Sequence, residues 1–61
     1  MIAHFRAQQM VDNHGLIEAI IRCKKILAVV QENLELDPTE ANSNILTYWD
    51  DVMNFLLTLV A

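Results

Sequence analysis

Residues that break a chain are scarce here: 61 residues include one glycine and one proline. Strong punctuation is confined to two places, Asp12-Asn13-His14-Gly15 and Leu36-Asp37-Pro38-Thr39-Glu40, with no Gly/Ser linker, internal repeat or low-complexity run between them. Cysteine also occurs once, so Cys23 excludes an intramolecular disulfide. Together with two histidines it makes a poor metal-ligand set, and no cofactor is expected. Long apolar runs are missing too. Ile26 to Val30 and Phe55 to Leu57 fall far short of the roughly 18–20 residues of a membrane span. At the amino terminus His4, Arg6, Gln8 and Gln9 interrupt any signal-peptide core. A soluble chain in a reducing compartment, the cytoplasm, is the expectation.

Length sets the next constraint. A chain this short forms a single domain, residues 1–61, and an isolated globule of about 60 residues buries only roughly 60% of its unfolded surface. Small domains compensate with disulfides, metals or self-association. Only self-association is open to this composition. The apolar share of 54% exceeds the roughly 45–50% usual in soluble domains and excludes disorder.

Basic residues are missing from the second half. Residues 1–30 carry Arg6, Arg22, Lys24 and Lys25 against Asp12 and Glu18, a net of +2. Residues 31–61 carry Glu32, Glu35, Asp37, Glu40, Asp50 and Asp51, a net of −6, which completes the formal charge of −4. This separation suits segments that lie against each other, within one chain or between copies. A general phosphate-backbone binder would require a basic stripe instead.

What is present reads as helix. Leu16, Ile20, Cys23, Leu27, Val30 and Leu34 alternate spacings of four and three, the seam of a packed helix over residues 16–35. Asp37 as cap, Pro38 at the first helical position and Glu40 completing a D-x-x-E box predict a second main helix over residues 38–60. Its seam is Ile45, Tyr48 or Trp49, Val52, Phe55 or Leu56, and Leu59. The short connection makes the pair an antiparallel helical hairpin.

Each helix carries a second apolar stripe about 100° from the first: Met10, Ile17, Ile21 and Ala28 on one side, Leu46, Met53, Leu57 and Val60 on the other. A hairpin covers one stripe per helix. The second predicts a homo-oligomeric helical bundle, a homodimeric four-helix bundle or larger. Its interface residues are Met10, Ile17, Ile21, Leu46, Trp49, Met53, Leu57 and Val60, with Trp49 as a large anchor. Residues 1–13 form an amino-terminal helical segment. Ile2 and Phe5 keep the phase of the main seam, but Gln9, Asp12 and Asn13 break it, so the segment either folds back as a short third helix or extends the first main helix.

Chemistry-bearing residues are few. His14 and Glu18 stand four apart, but zinc would need further ligands and no H-E-x-x-H or C-x-x-C is present; a solvated face with Glu18 pairing to Arg22 is the plainer reading. Neither histidine has a nucleophile to serve, and Cys23 on the seam behaves as a small hydrophobe. No catalytic constellation can be assembled, so an enzyme is not expected. Arg22, Lys24 and Lys25 form the one basic cluster; repeated by symmetry it offers an anion, nucleotide or RNA contact, although Lys24 points away from Arg22 and pairing with the acidic last helix fits better. The tail Leu59-Val60-Ala61 resembles the short apolar tails that bacterial ATP-dependent proteases recognise, over three residues only, and packing of Leu59 and Val60 on the two stripes accounts for it more simply. The expected function is a small interaction module that inhibits, adapts or regulates another protein, with nucleic-acid or nucleotide binding as the alternative.

Overall fold

A computed structural model describes residues 2–60. Three helices follow one another: α1 (Ile2–His14), α2 (Leu16–Leu36) and α3 (Glu40–Thr58), with no strand among the described residues. Met1 of the amino-terminal segment and Ala61 of the tail lie outside them.

The joint between α1 and α2 is Gly15 alone. Its φ of 83° and ψ of 160° lie in a region essentially restricted to glycine. The Gly15 N–H still donates to the Val11 carbonyl at 2.8 Å, and the Gly15 carbonyl accepts the Ala19 N–H at 2.9 Å. The helical ladder thus runs up to the glycine on one side and resumes immediately on the other. Of the two arrangements that the sequence leaves open, α1 folds back as a third helix.

The fold-back resolves the polar break in the seam. α1 turns Ala3, Ala7 and Met10 inward, while Gln9, Asp12 and Asn13 face solvent. This corrects the expected phase: Ile2 and Phe5 are 77% and 72% exposed. Small side chains win the inward face because they let one helix come close to two others.

α2 follows its expected seam, with Cys23 and Val30 buried and Leu16, Ile20, Leu27 and Leu34 half-buried. The following helix begins later than the D-x-x-E box predicts. Thr39, not Asp37, is the N-cap: its Oγ1 accepts the Asn42 N–H at 3.1 Å. Asn42 Nδ2 reaches back to the Asp37 carbonyl at 2.9 Å, tying the turn to the first turn of α3. Pro38 therefore sits just outside the helix.

α2 and α3 return against each other as the antiparallel hairpin, and α1 packs on both at the hairpin's open end. The core joins Ala3, Ala7 and Met10 to Ala19, Cys23, Val52 and Leu56, with Tyr48, Trp49, Met53 and Phe55 packed around it. His4 stacks on Phe55 with ring centroids 4.4 Å apart, which places the start of α1 beside the last turns of α3. The molecule measures 34 × 21 × 20 Å, its long axis matching the roughly 31 Å expected of the 21-residue α2. Its exposed surface of 4320 Å² is near the roughly 4,000 Å² typical of a monomer of 7.0 kDa.

Candidate protein interface

The hairpin has two broad faces, and α1 occupies one of them. On α3 that face is marked by Phe55, stacked on His4; on α2 it is marked by Ala19, fully buried in the core that α1 joins. Residues two positions apart on a helix point about 160° away from each other. Met53 and Leu57 flank Phe55 by two, and Ile17 and Ile21 flank Ala19 by two. All four therefore lie toward the face opposite α1.

On that face Ile17 is 78% exposed, and Ile21, Leu57 and Val60 are exposed as well. Leu46, Trp49 and Met53 are half-buried and line its floor. Trp49 meets Tyr48 edge to face at 5.3 Å between centroids. The tertiary structure thus brings seven of the eight predicted interface residues to one side. Met10 is set apart from them: it is 8% exposed and packs into the chain's own core from the inner side of α1. Leu59 and Val60 remain largely exposed in the single chain instead of packing on the stripes.

The basic cluster does not converge. Arg22 is paired with Glu18, Nε to Oε1 at 3.3 Å, across one turn of exposed α2 surface. Lys24 lies roughly 160° around the helix from Arg22, on the side of Ile17 and Ile21, and Lys25 projects elsewhere. An anion held by all three side chains of one copy is not available from this geometry.

Cys23 occupies the middle of the core. Its side chain is fully buried, and the Sγ donates weakly to the Trp49 carbonyl at 3.7 Å. Burial, and secondarily the negative charge of Asp50, pushes the thiol above its ordinary value, so the nucleophilic thiolate is disfavoured.

A surface cleft of about 330 Å³ lies between α1 and α3 and is lined by His4, Asp51, Asn54, Phe55 and Thr58. It is open, and Thr58 spends its hydroxyl on the Phe55 carbonyl at 2.6 Å. Among the described residues no three His, Cys, Asp or Glu side chains gather to hold a metal ion, and no helix is long and apolar enough to cross a membrane.

Sequence periodicity missed several exposed apolar residues. Val29 and Leu36 project from α2 outside both stripes, and Phe5 stands on the outer side of α1 above a smaller cleft shared with Gln8, Gln9, Asp12 and Asn13. The signal for Phe5 was the alanine spacing, Ala3 and Ala7 four apart, which claims the inner side of α1. A scan against protein-family models, a search of curated proteins and a search of solved structures each found no match to this chain.

Proposed function

We propose that this protein is a small interaction module, a homodimer or higher helical bundle that binds another protein as an inhibitor, adaptor or regulator. The observation that carries the reading is the apolar face opposite α1, where Ile17, Ile21, Leu57 and Val60 are exposed beside half-buried Leu46, Trp49 and Met53. Side chains of this size left in water favour burial, each by about 1.5–3 kcal/mol if fully covered. A second copy presenting the same face would cover them isologously, and Trp49 gives such an interface a large central anchor.

Charge supports the same arrangement. α3 carries Glu40, Asp50 and Asp51 with no base, so two α3 helices side by side would set acid against acid. Lys24 borders the open face on α2, and α2 of one copy against α3 of another brings opposite charges together. The divergence of Arg22, Lys24 and Lys25 gives no geometric support to the nucleic-acid alternative.

Sedimentation of the full chain across micromolar concentrations tests the reading. A concentration-dependent dimer lost on Leu57→Lys is expected; a monomer at all concentrations would overturn the self-associating module. For the partner, material captured by the wild-type chain is compared with that captured by a Lys24→Glu/Lys25→Glu variant. Capture of one stoichiometric protein by both supports the module. Steeply salt-dependent RNA binding that the variant loses would replace it with the alternative.

A further inference from the structure

The joint at Gly15 has a property independent of the open face. Folding back leaves the N–H groups of the first turn of α2 without helical partners, and no side chain caps them. Yet the ladder is intact up to Gly15, which bonds to Val11, and resumes where Ala19 bonds to Gly15. Rotating this one residue into helical geometry would join α1 and α2 into a continuous helix over residues 2–36. Leu16, Ile17 and Glu18 would then donate to the carbonyls of Asp12, Asn13 and His14. The backbone gains hydrogen bonds; what is lost is the packing of α1.

That packing is transferable. In the straightened chain α1 projects about 20 Å beyond the open end of the hairpin. Its inner residues Ala3, Ala7 and Met10 become uncovered, as do Cys23, Val52 and Leu56 in the cleft they leave. Every contact that is broken can be remade with a second copy in the same state, because its α1 is the same sequence and fits the same cleft. We propose that this chain forms an exchanged dimer in which α1 of each copy, swung out at Gly15, packs in the α2/α3 cleft of the other.

The two forms share nearly all of their side-chain contacts, so the conformation of the joint decides between them. Glycine tolerates a φ of 83° without steric cost, which holds the wild-type chain folded back at low concentration. Alanine at this position meets no neighbour within 4 Å, so space is not the obstacle. Its cost is conformational. Alanine disfavours the folded-back joint and favours the continuous helix, and both effects shift the balance toward exchange, together by on the order of tenfold or more.

The test places cysteines on different chains. One full-length chain carries His4→Cys and the other Phe55→Cys, positions that stack within the single chain. The two are mixed, unfolded and refolded together at high concentration, then mildly oxidised. A disulfide between unlike chains is expected, with its yield rising at least tenfold when both also carry Gly15→Ala. A dimer that forms without this disulfide would overturn the exchange while leaving association through the open face standing. Leu57→Lys separates the two, since it removes open-face dimers and leaves the exchanged disulfide. Should Gly15→Ala fail to fold, refolding the wild-type joint at rising concentration gives the same readout: a yield that rises with concentration supports exchange, and its absence overturns it.

Discussion

The sulfur of Cys23 lies 3.7 Å from the Trp49 carbonyl oxygen, so the lone thiol of the chain bridges the two arms of the hairpin at the level where α1 closes over them. A weak donor against a helical carbonyl adds little energy. Its value is as a marker of how completely this level is sealed. The thiol should react with an aqueous disulfide reagent only through opening of the fold, at a rate at least a hundredfold below that of the denatured chain. Labelling in native buffer and in denaturant measures this directly.

The same burial has a pH consequence. Because the folded chain holds the Cys23 proton more tightly than the unfolded chain, its contribution to stability is complete below the unfolded thiol value of roughly 8.5 and is lost as pH rises through the higher folded value. Urea midpoints should therefore fall as the pH is raised above about 8.5. In Cys23→Ala this part of the fall should vanish.

α1 approaches its neighbours through Ala7, which has no exposed surface. Ala7→Leu should destabilise the chain by about 1–3 kcal/mol through overpacking. A leucine on the outer side, Gln8→Leu, should stay within about 0.5 kcal/mol by thermal melting.

The true cap of α3 is open to a clean comparison. Thr39→Ala removes the acceptor for the Asn42 N–H and should cost about 1 kcal/mol. Asp37→Ala keeps the carbonyl to which Asn42 donates and should cost less. A larger loss for Asp37→Ala than for Thr39→Ala in chemical denaturation would put the cap where the D-x-x-E pattern expects it.

On the open face, Leu57→Lys should abolish association through that face while leaving a folded chain, because Leu57 is already 53% exposed. Met53→Lys should also lower the melting temperature, since Met53 packs on the core. Glu18→Lys removes the exposed pair with Arg22 and should change stability by no more than about 0.5 kcal/mol.

The sequence by itself determined the helical class, the α2 seam from Leu16 to Leu34, the antiparallel return through Asp37-Pro38-Thr39 and the residues of the apolar second stripe. Each follows from local periodicity or turn chemistry, which acts over a few neighbouring residues. Only the tertiary structure decided the course of α1. Ile2 and Phe5 outrank Ala3 and Ala7 in hydrophobicity, yet close packing of one helix against two selects the smaller side chains for the inner face. It also buried Met10 in the core of the single chain and moved the α3 cap to Thr39. For α1 and Met10 the reason is that at Gly15 the φ and ψ of one residue redirect thirteen residues, and a pattern read along one helix carries no information about which second helix comes to lie across it; the α3 cap moved for a local reason, the bond from the Asn42 N–H to Thr39 Oγ1.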